Sequence, residues 1–254
     1  MKIIGVIPAR YESTRLPGKP LAEICGKPMI WWVYQQALKV KGLDDIVVAV
    51  DNDMVFDKCI ELGINAVITN SEHPSHMHRL LEVANKISSD LYVCICGDEP
   101  LIEPNVIESI IPREKVDMNS IYVRGVRRIL SDPVEAMDSG NIKIVVDKEG
   151  DALALSRTPI PYPYKFLNYT YYKTIGIECF NKLALEFYVK DENPRLTNIP
   201  LMNLPIKKNI LICCINRQNR IIIPGGQDTI QPGDSVVVVL TNESLNDITD
   251  ILVN

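Results

Sequence analysis

Short, unbroken apolar blocks punctuate the first hundred residues. Residues 2–8, Ile46–Val50 and Leu91–Cys96 are such blocks, with a shorter one at Ala66–Ile68. Between them the apolar positions switch to helical spacing: Met29–Lys39 after Gly26-Lys27-Pro28, Asp53–Leu62 closed by Gly63, and His78–Ile87. Proline fixes φ for a helix start, and glycine reaches the positive φ of a helix end, so Pro28 and Gly63 mark boundaries. Strands alternating with helices predict βαβ units. Strands apolar on both faces predict a parallel sheet covered by helices on each side. Ligands of such sheets bind beyond the carboxyl ends of the strands. The segments after Pro8, Ile68 and Cys96 are therefore expected to converge on one crevice.

The middle of the chain changes pattern. Ile121–Arg127, Ile142–Val146, Leu153–Leu155 and Thr174–Cys179 read as strands, with a turn at Asp147-Lys148-Glu149-Gly150 and a helix over Asn181–Val189. Asp191-Glu192-Asn193-Pro194-Arg195 is polar and broken by proline, the composition of a linker. Beyond it, Ile210–Asn216 and Arg220–Ile223 flank a tight turn at Gln218-Asn219. Ser235–Leu240 is a further strand, and Glu243–Leu252 has amphipathic helical spacing. Two domains are expected, over 1–190 and 197–254, the second a compact β-rich module of the size of a small independent domain.

Composition narrows the function. Hydrophobic residues make up 46% and charged residues 23% of the 254, with a net charge of −5. No apolar run reaches the length of a membrane span, and the N-terminal block lacks a small-residue cleavage site, so a cytoplasmic protein without membrane insertion is expected. The acidic balance argues against nucleic-acid binding, but a local cluster of Arg and Lys can still hold phosphates. The seven Cys show no paired metal-ligand spacing and are expected as reduced thiols.

Two segments carry candidate chemistry. Pro8-Ala9-Arg10-Tyr11-Glu12-Ser13-Thr14-Arg15-Leu16-Pro17-Gly18-Lys19-Pro20-Leu21 puts three cations at the end of the first strand. Fixed cations and backbone N–H groups stabilise the negative charge that builds on phosphoryl oxygens during transfer. Cys96-Gly97-Asp98-Glu99-Pro100 follows another apolar strand, where a carboxylate suits a Mg²⁺ that bridges phosphates. His73, His76 and His78 lie within six residues, but no Cys or carboxylate flanks them at a known ligand spacing, so they read as loop and helix-start residues.

Taken together, these segments resemble the 3-deoxy-manno-octulosonate cytidylyltransferase family, which is similar to the acylneuraminate cytidylyltransferases. The loop meets every fixed position of the family's P-A-R-x-x-S-x-R-L-P-x-K-x-L signature, and Gly97-Asp98-Glu99-Pro100 stands for its G-D-E-P. Gly26–Ile30, Asn141–Val145, Ser156-Arg157 with Ile160-Pro161, and Gly176-Ile177 resemble further family segments, so that the likeness covers about residues 1–190. It implies a nucleotide-diphospho-sugar transferase-like, Rossmann-like α/β fold with a mixed sheet and flanking helices. It also implies a reaction in which a 2-keto sugar acid attacks CTP with Mg²⁺ to give a CMP-sugar and pyrophosphate. By position, Arg10, Lys19 and Asp98 would be catalytic and Asp98 the Mg²⁺ ligand. Ala9, Arg10, Ser13, Arg15, Lys19, Ser75 and Arg79 would touch the nucleotide, and Arg157 the sugar.

The chain also departs from the family. S-G-T-E-R is replaced by Ser75-His76-Met77-His78-Arg79, and the Gln before G-D-E-P by Cys96. The family's glutamate-rich helix and its late V-D-T-P-E-D-L segment, whose Asp is a second Mg²⁺ ligand, have no counterpart. In their place, Ile199–Pro205, Ile210–Ile212, Asn216-Arg217, Ile221–Pro224, Asp228–Ile230 and Pro232–Val239 resemble a TrkA-C domain. This implies a regulatory, homodimerising α+β module that takes a small ligand. An alternative function is a non-catalytic nucleotide or ligand sensor whose transferase-like domain has lost its sugar site.

Overall fold

The computed structural model describes residues 1–12, 16–163, 169–189, 196–217, 220–231, 234–240 and 251–253. The chain divides into two compact units, Met1–Phe187 and Tyr188–Asn254.

The first unit is built on β1 (Ile3–Ala9), β2 (Glu23–Ile24), β3 (Lys27–Pro28), α1 (Met29–Ala37), β4 (Asp45–Val50), α2 (Asp53–Glu61), β5 (Ala66–Ile68), α3 (His76–Lys86) and β6 (Leu91–Cys94). There follow α4 (Pro104–Glu108), β7 (Val123–Leu130), α5 (Pro133–Met137), β8 (Lys143–Val146), β9 (Ala152–Ser156), β10 (Tyr171–Asn181) and α6 (Lys182–Val189). An eight-stranded sheet runs β5-β4-β1-β6-β10-β8-β9, with β7 also paired to β10. The β5-β4-β1-β6 half is parallel, and the remainder is antiparallel.

The parallel half is buried on both faces, which is why its strands are apolar throughout. On one face Ile30, Val33, Val55 and Ile107 of α1, α2 and α4 pack on Ile7, Val48 and Val93. On the other, Met77, Leu80 and Val83 of α3 pack on Val6, Val47 and Cys94. Local signals set the boundaries. The Asn52 side chain accepts from the Met54 N–H at 2.9 Å to cap α2, and Gly63 leaves it at φ +68°. Helix α3 starts at His76, two residues before the position its apolar spacing marks. Helices α4 and α5 have five residues each, too few to show a period, and each opens on a proline. The Asp147 side chain accepts three backbone N–H groups, from Glu149, Gly150 and Asp151, to form the turn between β8 and β9.

In the second unit β11 (Ile210–Arg217) lies between β12 (Arg220–Ile222) and β13 (Ser235–Leu240), both antiparallel to it. Leu196, Leu204, Ile212, Ile215, Ile230, Ile251 and Leu252 form its core. Arg217 grips Asp234 with two bonds of 2.9 and 2.7 Å and reaches the Thr229 carbonyl at 2.8 Å. This guanidinium holds the Asp234 carboxyl below the usual carboxylate range. The linker at 191–195, the turn at Gln218-Asn219 and all but Ile251 and Leu252 of the expected terminal helix lie outside the described residues.

Candidate functional site

A cavity opens at the carboxyl ends of β1 and β6 in the first unit. Ala9, Arg10, Lys19, His76, Cys96 and Asp98 line it from the parallel half, and Asn141, Lys173, Thr174, Gly176 and Glu178 from the antiparallel half. The segments after β1, β5 and β6 thus meet in one place.

The loop after β1 is held at both ends. The Tyr11 N–H donates to Asp51 Oδ1 at 2.8 Å, and the Tyr11 carbonyl accepts from the Gly18 N–H at 2.9 Å. Gly18 adopts φ +67°, a turn that favours glycine and delivers Lys19 to Asp98, with which it forms an ion pair. Arg10 is exposed to the cavity and makes no hydrogen bond or ion pair among the described residues. Gly97 permits the second approach: a Cβ there would lie 2.6 Å from the Pro8 carbonyl oxygen, so only glycine lets the loop after β6 abut the end of β1.

Of the other expected site residues, Ala9 is buried in the cavity wall. Arg79 is not brought to the cavity. Its guanidinium is buried against Asp51 Oδ2 at 2.9 Å and Thr69 Oγ1 at 3.0 Å, so it supports the loop after β1 through Asp51. Ser75 lies outside the cavity and pairs with His78 Nδ1 at 2.9 Å. Arg157 is exposed and donates to the Ser139 carbonyl at 3.0 Å, fastening the 138–141 loop rather than lining the cavity. Ser13 and Arg15 lie outside the described residues.

The same loop is held from beneath by Lys143, 1% exposed, whose ammonium donates to the carbonyls of Asp138, Asn141 and Arg157 at 2.7, 2.9 and 2.6 Å. All three of its protons are used. Asn141 in turn accepts from Lys173 Nζ at 3.0 Å. The 138–142 segment is thereby fixed as a wall of the cavity.

Electrostatics separate the groups by role. Burial, then Glu99, Asp98 and Glu178, push the Cys96 thiol up to about 12 against the pull of Lys19, so it is a neutral donor to the Gly176 carbonyl and no nucleophile. Burial and the Arg10 charge lower His76 below its usual value, leaving it neutral at pH 7. Burial raises Glu178, and burial with Asp98 raises Glu99. The three histidines diverge: His73 pairs with Glu82 at 2.5 Å, His78 with Ser75, and His76 faces the cavity. Among the described residues no three His, Cys, Asp or Glu side chains could hold a metal ion together.

Such a cavity can bind an anion on Arg10 and Lys19. His76, Asn141, Lys173 and Glu178 are lining residues that motif reading did not single out as site residues. The signal for Glu178 was present, as a lone acid inside the apolar run Ile175-Gly176-Ile177-Glu178-Cys179-Phe180.

Comparison with known proteins gives the same outline. The family model for cytidylyltransferases matches residues 4–222. The 3-deoxy-manno-octulosonate cytidylyltransferase of Escherichia coli is 37% identical over 211 residues, 81% of this chain and 85% of that one. Its counterpart in Fusobacterium nucleatum subsp. nucleatum is 41% identical over 178 residues, 70% of this chain and 72% of that one. A solved CMP:2-keto-3-deoxy-manno-octonic acid synthetase complexed with CTP superposes with a TM-score of 0.70 at 39% identity, covering 75% of this chain and 78% of its own. With its cation-bearing loop, its G-D-E-P turn and this mixed sheet, the chain belongs to the cytidylyltransferase family.

Proposed function

We propose that the enzyme activates a 2-keto sugar acid of the 3-deoxy-manno-octulosonate type with CTP. A hydroxyl oxygen of the sugar acid bonds to the α-phosphorus, the bond from that phosphorus to the bridging oxygen breaks, and CMP-sugar and pyrophosphate form as the hydroxyl proton leaves. The observation that carries this reading is the meeting of Arg10, Lys19 and Asp98 in one cavity. Arg10 and Lys19 bind the triphosphate and stabilise charge on the departing pyrophosphate. Ala9, and by the family signature Ser13 and Arg15, are the further residues proposed to contact the nucleotide.

Mg²⁺ fits the donor set. It keeps most of its waters and takes one or two carboxylates plus phosphate oxygens, so Asp98 with a bound triphosphate suffices without a protein-built cage. When bound, the ion neutralises charge on the phosphate oxygens. Pyrophosphate release with CTP, Mg²⁺ and a panel of 2-keto sugar acids tests the proposal. CTP binding without turnover on any acid would favour the sensor reading, which the missing late Asp supports.

Residues 197–254 are proposed as a TrkA-C-like regulatory module that pairs the protein into a homodimer and takes a small ligand. In support, the sheet face carrying Leu211, Val237, Val239 and Ile221 is apolar and exposed. Light scattering of the full chain across a concentration series tests the pairing. No described helix is long and apolar enough to cross a membrane, and a cytoplasmic location fits a substrate such as CTP.

A further inference from the structure

We propose that Glu178 is the residue that reads hydrogen-bond donors on the sugar acid and so sets which acid the enzyme accepts. This rests on the activity proposed above and adds a specificity role to a residue that no motif includes.

Three observations carry it. First, Glu178 lines the cavity half-buried, yet its carboxyl makes no hydrogen bond or ion pair among the described residues. Second, no cavity donor reaches this carboxyl among the described residues. The Lys173 ammonium goes to Asn141 Oδ1 at 3.0 Å, and the Cys96 thiol to the Gly176 carbonyl at 2.8 Å. A carboxyl partly withdrawn from water without a donor is costly, and a ligand donor relieves that cost. Third, the wall beside this residue is built on glycines. Gly176 bears no side chain, and a Cβ there would lie 2.6 Å from Cys96 Sγ. On the far side the stem of Glu178 rests against Gly125, 3.6 Å from where a Cβ would stand.

Its place in the cavity selects the ligand: Glu178 lines it from the antiparallel half, whereas Arg10 and Lys19, which attract the triphosphate, line it from the parallel half. A polyhydroxylated acid offers O–H donors, and an amino-substituted acid offers N–H donors. Both satisfy the carboxyl, and Lys173 on the same strand is the complementary group for the acid's own carboxylate.

The test uses the full chain with CTP and Mg²⁺, reading pyrophosphate release with 3-deoxy-manno-octulosonate and with an analogue in which one tail hydroxyl is replaced by an amine. Glu178→Leu should raise KM for the sugar acid about tenfold or more, the loss of one buried hydrogen bond to a charged group, while KM for CTP stays within about twofold. Glu178→Gln, which keeps an acceptor and the size, should restore much of the hydroxyl substrate's affinity. If the donor is an amine, that variant recovers little, because the charge is what counts. Unchanged sugar-acid KM in Glu178→Leu, or an equal rise in KM for the sugar acid and for CTP, would overturn the inference while leaving the activity standing. A wild type inactive with every acid would overturn both.

Discussion

The two halves of the cavity wall are built by different means. The parallel half, β1 with β4 and β6, is covered by helices on both faces. Its site residues sit on short loops pinned by Gly18, Gly97 and the Arg79–Asp51 pair. The antiparallel half, β10 with β8 and β9, is more open: Leu153 and Leu155 on β9 are 66% and 62% exposed. Its cavity wall depends on one buried cation, Lys143, and on polar pairs such as Lys173–Asn141. The difference teaches that the charge-handling side is fixed by backbone geometry. The side assigned here to the sugar is fixed by side chains, which substitution alters more freely.

The sharpest way to break this comparison is at Asp98. Asp98→Asn keeps the size and removes the charge that Lys19 pairs with and that the proposed Mg²⁺ would need. Turnover should fall by about two to three orders of magnitude, the scale seen when one fixed electrostatic group is lost from a transition state. The melting temperature should barely move, because an exposed ion pair contributes little to stability. Wild-type turnover in this variant would remove charge handling from the parallel half.

Next in size is Lys19→Ala. CTP affinity should drop about ten- to a hundredfold, the worth of one or two charge-assisted hydrogen bonds, with the fold retained. Calorimetric titration of CTP against the variant measures it. An unchanged affinity would show that the loop cation serves only its pair with Asp98.

Lys143→Met tests the other half. Three carbonyls would lose their donor, and stability should fall by about 1–3 kcal/mol. Because those carbonyls hold the 138–142 wall, sugar KM should rise more than CTP KM. Equal effects on both substrates would mean that the two halves are not separable.

The same contrast explains what the sequence made legible. Strands buried on both faces leave unbroken apolar blocks, so β1, β4 and β6 and their carboxyl-end loops could be read off directly, with Arg10, Lys19 and Asp98 at their tips. The packing of Arg79 could not be read by type. A cation near a motif signals phosphate, but Asp51 and Thr69, 28 and 10 residues away, bury it instead. Arg157 is drawn to the Ser139 carbonyl by a loop closure that spacing does not reveal. The direction of β10, antiparallel to β6, depends on a long return through residues without regular period. Glu178 and Lys173 reach the cavity only once that direction is set.

The smallest expected effect concerns α3, which covers one face of the parallel half and brings His76 to the cavity. Glu82 on this helix accepts from the Asn70 N–H at 2.8 Å and pairs with Lys86 and His73. Burial alone would raise its pKa, but Lys86, the Asn70 N–H and His73 outweigh it and bring the carboxyl down from 4.5 to about 2. A carboxyl whose pKa is lower in the folded than in the unfolded state adds stability above the unfolded value. That stability is lost as pH falls through the window from about 4.5 towards 2. The full shift converts to roughly 3 kcal/mol, but the Lys86 side chain is 43% exposed and solvent screens the pair, so about 1 kcal/mol is expected. Glu82→Gln should therefore lower the melting temperature by about 2–4 °C at pH 7. The gap should narrow steadily below pH 4.5 as the wild-type carboxyl takes up its proton. A gap that stays constant from pH 7 to 3.5 would show that Glu82 acts through packing, which the amide changes at every pH alike, and not through its charge.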